Sequence, residues 1–347
     1  MKKLLSLVLA LSIALSLAAC GGGEKSTTPA PGNTSTPSPD EQETVNLQIG
    51  FTTATDPSDP YYYASTEMAR ILEEKSGGTV ILTPMANGQL GQEREMFEGM
   101  QMGTVEMAVM TNSYVSNFIP ACGALDLPFV FTSVNQAMEV LNGDFGDQLF
   151  DAFEGSGVVP LAWGVGGFRN LVTATVPVRS PEDIKGLKIR CLENNTYMKT
   201  YSTIGANPTP MAWSETIPGL QQKTIEGLDA SISVLYTGGF ADICEYLSLT
   251  NQFFAATLVC ISETEWNKLT EQQQIWVRES AQEACALQAA FQEGADAENL
   301  EKMRQAGMTV IDDVDYDAFR AILANFYDES KETIGAEYID DLMVAIG

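Results

Sequence analysis

Cations are scarce in this 347-residue chain, 19 Lys and Arg against 46 Asp and Glu, and two of them stand where a ligand could be gripped. Arg190 ends the run Gly186-Leu187-Lys188-Ile189-Arg190, which reads as a strand, and Arg169 follows the glycine-rich turn Gly164–Gly167. A guanidinium at the carboxyl end of a strand faces the crevice in which open α/β sheets hold their ligands. It offers a planar fork to a carboxylate and cannot lose its charge. On spacing alone, a structural ion pair with one of the many acids is the simpler reading of either arginine.

Other chemistry is hard to find. The chain has no histidine, which excludes a Ser-His-Asp triad, a His-based proton shuttle and His-ligated zinc or haem. No phosphate-loop pattern is present. Gly164-Val165-Gly166-Gly167 matches a dinucleotide fingerprint loosely, but it leads into the extended Phe168-Arg169-Asn170 and not into a helix. The pairs Asp312-Asp313 and Asp340-Asp341 lie in polar runs and read as solvated charge, not as a glycosidase pair. No EF-hand spacing occurs. A net charge of −27 repels nucleic-acid phosphate. The expectation is therefore no catalytic residue, no metal, no cofactor and no nucleic-acid partner.

The elements that would position the arginines alternate in type. Val45–Phe51 reads as a strand, Tyr61–Lys75 as a helix, Thr79–Thr83 as a strand, the stretch around Met96, Phe97 and Met100 as a helix, and Val105–Met110 as a strand. That βαβαβ order is the mark of a parallel doubly wound sheet. Its ligand rim would be the tips at 52–53, 88–93 and 110–112. A second α/β run starts near residue 168, with a helix opened by Ser180-Pro181, strands at Leu187–Cys191, Asp229–Val234 and Leu258–Ser262, and helices at Asn194–Ile204 and Trp213–Gln222, the last with Pro218 inside it. Thr270–Gln305 is the longest helical run, opened by a Thr270/Gln273 capping box and roughly 54 Å long. The strand Met308–Ile311 and two helices finish the chain.

The start of the chain reads as an address. Lys2 and Lys3 precede an apolar run, Leu4–Leu17, too short to span a membrane, and the segment ends Leu17-Ala18-Ala19-Cys20. This resembles a bacterial lipobox, with Cys20 as the lipidated residue. Residues 21–44 are rich in Gly, Ser, Thr and Pro and are expected to form a disordered tether. Cys122, Cys191, Cys244, Cys260 and Cys285 show no C-x-x-C spacing and are expected to be mostly buried small hydrophobes, with at most one bridge.

Several longer stretches carry a family likeness. Phe168-Arg169-Asn170-Leu171, SPEDIKGLKIR (180–190), GANPTPMAWSE (205–215) and EYLSLTN (245–251), together with GQLGQEREM (88–96) and Leu127-Pro128-Phe129, closely resemble the solute receptors of tripartite ATP-independent periplasmic (TRAP) transporters of the dicarboxylate-receptor type. The likeness spans roughly 45–330. It implies an α/β, two-lobed fold like that of periplasmic binding proteins, each lobe a mainly parallel sheet flanked by helices, with a long helix crossing both. The lobes are expected at 45–167 plus about 256–296, and at 168–255 plus about 297–347. The likeness also implies that Arg190 is the main carboxylate clamp and Arg169 the second cation. Trp213 would pack on the ligand's carbon skeleton, with plain core packing as the alternative. Asn194 would contact ligand from the turn after Arg190, and Thr52, Glu93, Thr111 and Asn112 would line the crevice. The chain departs from the pattern at 226–231, where the usual Asn is Ala230. Asp229 and Ser231 are then expected to compensate, or the ligand is less polar at that end.

The resulting expectation is an extracytoplasmic receptor, not an enzyme. It would be a monomer anchored to membrane lipid through Cys20, capturing a small organic anion by hinge closure and delivering it to TRAP-type permease subunits. The alternatives are a receptor for an ATP-driven importer and a ligand-sensing lipoprotein for a signalling partner.

Overall fold

The computed structural model describes residues 44–347. The expected signal segment, Cys20 and the tether up to residue 43 lie outside the described residues. The first half runs β1 (Val45–Gly50), α1 (Pro60–Ser76), β2 (Val80–Met85), α2 (Glu93–Met102), β3 (Met107–Thr111), as the alternation predicts. β1 lies between β2 and β3 and pairs parallel with both. Asp59 caps α1 by accepting from the Tyr61 and Tyr62 amides, Pro60 takes the first helical position, and Gly77 ends the helix at φ 62°. These are the residue types that helix ends require.

The short α3 (Asn112–Val115), a 3₁₀ turn (Pro120–Asp126), α4 (Val134–Leu141) and α5 (Asp144–Asp151) lead into β4 (Val158–Thr173). The second half follows: α6 (Pro181–Ile184), β5 (Lys188–Cys191), α7 (Asn195–Thr203), β6 (Asn207–Pro210), α8 (Thr216–Gln221), β7 (Gly227–Ser231) and α9 (Ile232–Thr237). β5 sits between β6 and β7, again all parallel. Then come β8 (Tyr246–Ser262), α10 (Glu263–Trp266), α11 (Glu271–Gln305), β9 (Thr309–Ile311), α12 (Tyr316–Ile322), α13 (Phe326–Ile334) and α14 (Ala336–Ile346).

The strand order is β2-β1-β3-β8-β4-β7-β5-β6, with β9 on β8. β4 and β8 are antiparallel to each other and carry the sheet from one half to the other. Both are long, and β8 runs well beyond the strand expected at Leu258–Ser262. In β4 the glycine run hides the continuation. A Cβ at Gly164 would lie 2.6 Å from Thr257 Oγ1 and 2.9 Å from Gln288 Oε1, so β4 passes α11 at a distance only glycine allows. Gln288 accepts from the Val165 amide at 2.8 Å and donates to the Val165 carbonyl at 2.6 Å, where the β4–β8 register shifts between Val165 and Gly167. A side chain thus replaces ladder bonds that the bulge gives up.

α11 begins at the expected capping box and is 35 residues, roughly 52 Å, long. It packs on α1, β4 and α9, hence on both halves. Its buried stripe is mixed, with Val277, Ala281, Ala284, Cys285, Ala295 and Met303 as the apolar part. Leu287 and Phe291 are 39% and 37% exposed, while Ser280, Gln288, Gln292 and Asn299 are buried.

Other boundaries also differ. The strand expected at Asp229–Val234 stops at Ser231, where α9 begins. The helix expected at Trp213–Gln222 splits into a 3₁₀ turn (Trp213–Glu215) and α8, which contains Pro218. The chain ends in three helices rather than two. α13 and α14 pack against the 120–126 turn, and α14 also against α4 and α5, all in the first half, whereas the sequence grouped them with the second. All five cysteines among the described residues are buried and free, and none of these residues forms a metal-ligating cluster.

Candidate functional site

A narrow cleft opens where the carboxyl ends of β1, β3, β5 and β7 converge, the place an open α/β sheet offers a ligand. Seven of the ten expected ligand residues line it: Thr52, Glu93, Thr111, Arg169, Arg190, Trp213 and Ser231.

Arg190, on β5, is 0% exposed. Its Nε and Nη2 donate to the Met211 carbonyl at 3.1 and 2.9 Å, and Nη2 also reaches the Tyr114 hydroxyl at 3.3 Å. Its Nη1 has no partner at all. A buried guanidinium nitrogen left without an acceptor costs the full desolvation of its N–H groups, so an acceptor arriving from the cleft would be strongly held. Trp213 lies 5.7 Å from the guanidinium carbon and packs at 5.4 Å on Phe240, which keeps its ring face toward the charge.

Arg169 sits on β4 and is otherwise engaged. Its Nε donates to Asp229 Oδ2 at 2.6 Å and its Nη2 to the Asp229 carbonyl. The charge this ion pair adds to the site is close to nil.

Glu93, the first residue of α2, is 5% exposed. Oε1 accepts from the Thr111 amide at 2.6 Å and from its hydroxyl at 3.0 Å. Tyr61 and Thr111 hydroxyls are 2.7 Å apart, which makes a chain from Tyr61 through Thr111 to the carboxylate. Burial pushes the Glu93 acid up from 4.5 to about 7, against the hydrogen bonds from Thr111 and the pull of both arginines.

Three expected residues lie elsewhere. Asp229 does not line the cleft but neutralises Arg169 from behind. Asn194 caps α7, accepting from the Tyr197 amide at 3.1 Å, and its amide nitrogen donates to the Ser113 carbonyl, Ser116 Oγ and Asp126 Oδ2. Asn112 donates to Asp126 Oδ1 and the Cys122 carbonyl, both at 2.9 Å. Asn112 and Asn194 thus belong to a buried cluster around Asp126, beside the cleft rather than in it.

The cleft wall also holds Thr53, Tyr61, Tyr114, Leu192, Ala230, Val234 and Ala255. The tip at 52–53 pointed to Thr53, and Tyr114 stands two residues past the third tip. Tyr61 carried no signal beyond its place in the first turn of α1. Ala230 does line the cleft, and so does its neighbour Ser231, one of the two residues expected to compensate for it.

A family model described as bacterial extracellular solute-binding protein, family 7, matches residues 51–333. The chain is 30% identical to the 2,3-diketo-L-gulonate-binding periplasmic protein of Escherichia coli strain K12, over 81% of this chain and 85% of that one. It is 28% identical to a C4-dicarboxylate-binding protein of Bacillus subtilis strain 168, over 79% of each chain. A crystal structure of a TRAP periplasmic solute-binding protein from Polaromonas sp. JS666, bound to D-erythronate, superposes with a TM-score of 0.83 at 30% identity, covering 86% of this chain and 98% of that one.

Proposed function

The chain belongs to the bacterial extracellular solute-binding protein family 7 and is a solute-binding receptor, not an enzyme; from that premise we propose that its cleft closes on one small carboxylate, held by Arg190, for delivery to a TRAP-type permease. The observation that carries the reading is the lone Nη1 of Arg190, fully buried at a cleft wall with no acceptor of its own. A carboxylate oxygen there would complete the donor set of a guanidinium already fixed by Met211 and Tyr114. Trp213 would cover the carbon skeleton, and Thr52, Glu93, Thr111 and Ser231 would meet its polar substituents. Asp229 serves by holding Arg169. Asn112 and Asn194 serve the closed state, not the ligand.

Closure is a population shift: a ligand that touches both halves only in the closed state favours that state by its differential affinity. The lobes are taken as the sheet halves on either side of the β4–β8 pair. The receptor acts as a monomer, tethered to membrane lipid through Cys20. Metabolic labelling with a fatty acid, lost in Cys20→Ser, tests the anchor.

Calorimetry with D-erythronate and 2,3-diketo-L-gulonate tests the clamp. Arg190→Ala should cost about 2–5 kcal/mol of binding, and Arg190→Lys should also weaken it, because lysine has no planar fork. Unchanged affinity in Arg190→Ala would remove the proposal.

A further inference from the structure

Relatives of this chain include a receptor for a sugar acid with one carboxylate and a receptor for C4 dicarboxylates, and the cleft distinguishes between the two. Resting on the clamp reading above, we propose that Glu93 sets the ligand class, admitting a hydroxylated monocarboxylate and turning away dicarboxylates.

The first argument is the inventory of donors and acceptors. Thr111's single hydroxyl hydrogen points to Glu93, so Tyr61 donates to Thr111 in turn. Together with the Thr111 amide, this gives the Glu93 carboxylate two hydrogens. A carboxylate has about four acceptor sites, so Oε2 keeps unspent capacity at the cleft wall. A ligand hydroxyl can fill it; a second ligand carboxylate cannot.

The second argument is charge. The groups that face Glu93 are Arg190 from β5, Arg169 from β4, Tyr61 from α1 and Tyr114 from α3. Burial raises both phenols well above neutral pH, with Tyr114 up to about 12, so they stay uncharged. Asp229 cancels Arg169 at 2.6 Å. Glu93 pairs with neither arginine within 4.0 Å among the described residues, yet it balances the charge of Arg190 across the cleft. One bound carboxylate therefore leaves the set of ligand, Arg190 and Glu93 at −1, and a dicarboxylate would leave it at −2, with the buried acid Asp59 adding to the repulsion from behind Thr53 and Tyr61.

The test is calorimetry at pH 8 with D-erythronate and 2,3-diketo-L-gulonate against succinate and L-malate. The wild type should bind the tighter monocarboxylate at least about tenfold more strongly than either dicarboxylate. In Glu93→Gln, which keeps the size and an acceptor, that ratio should fall by about tenfold or more. If Glu93→Gln fails to fold, the wild type supplies the same readout. For L-malate, which keeps both its charges over this range, the ratio should shrink as pH falls from 8 to 6, because Glu93 takes up a proton near pH 7. A dicarboxylate bound as tightly as the better monocarboxylate, a ratio that neither variant nor pH moves, or no binding of any of the four acids overturns the proposal. Failure of Glu93 alone leaves all binding dependent on Arg190; failure of the clamp leaves Arg190→Ala as competent as the wild type.

Discussion

Glu93 and Asp126 are both buried acids of the first half, and they do opposite work. Glu93 has two arginines in view and stands at the cleft wall, with acceptor capacity left over. Asp126, 1% exposed, has no arginine beside it and spends its oxygens on four side chains: Asn112, Ser113, Ser116 and, from the second half, Asn194. Burial raises both, Asp126 from 3.8 to about 6. The difference teaches that a carboxylate's role is set by whether its neighbours leave it anything to offer. A saturated acid ties the two halves of the molecule together. An unsaturated one waits for a ligand.

The contrast breaks most visibly in stability. Asp126→Ala strands three donors on α3 and its C-cap in the first half and one in the second, and should cost about 3 kcal/mol in urea unfolding. Asn and Gln replacements separate charge from hydrogen bonding, and here the two acids should behave differently. Glu93→Gln removes a buried charge while keeping an acceptor for the Thr111 amide. Its pH dependence follows from the shift. Glu93 is raised from 4.5 to about 7 on folding, so its contribution to stability is fully present below about pH 4.5 and is lost as pH rises through 7. Relative to wild type, Glu93→Gln should therefore gain about 3 kcal/mol between pH 4.5 and pH 7.5 and stay nearly level above that. Thermal melts of both proteins without ligand across this range provide the check. Equal pH curves would mean that Glu93 is as well solvated as an ordinary surface acid.

The same contrast explains which parts of the molecule were legible in its sequence. The βαβαβ order and the caps at Ser180 and Thr270 could be read because periodicity and capping are local. Arg190, Arg169 and Trp213 reached the site through motif likeness combined with the rule that strand ends face the crevice. Asp126 could not be read. Its importance comes from Asn194, 68 positions away, and no local pattern marks an acid that will be saturated from across the sheet. Asn194 itself was legible only as a residue next to the clamp. Its helix-capping role needed the start of α7 to be placed one residue later. The bridge between the halves was hidden for a related reason: Gly164–Gly167 looks like a turn until Gln288, on a helix far along the chain, is seen to take the Val165 ladder bonds. The polar part of α11's buried stripe was missed because it is made of glutamine, serine and asparagine, which a search for apolar periodicity passes over.

Asn194 gives the finest cut between the two regions, since it touches Asp126 and follows Arg190 by four residues without lining the cleft. Its oxygen caps α7, while its nitrogen reaches the Ser113 carbonyl and Ser116 Oγ, both at 2.8 Å. Serine at this position retains a capping oxygen but is one bond too short to span to the first half. Asn194→Ser should therefore leave α7 in place and remove only the contacts made when the halves are together. The expected loss in affinity is about 1 kcal/mol, some fivefold, and it should be the same for every acid that binds, because a residue acting on closure changes how much of the protein is competent and not what fits. Glu93→Gln should do the reverse, changing the ratio between acids. Calorimetry of Asn194→Ser with D-erythronate and succinate decides the matter. A selective loss would place Asn194 in contact with ligand after all and would merge the two regions into a single site.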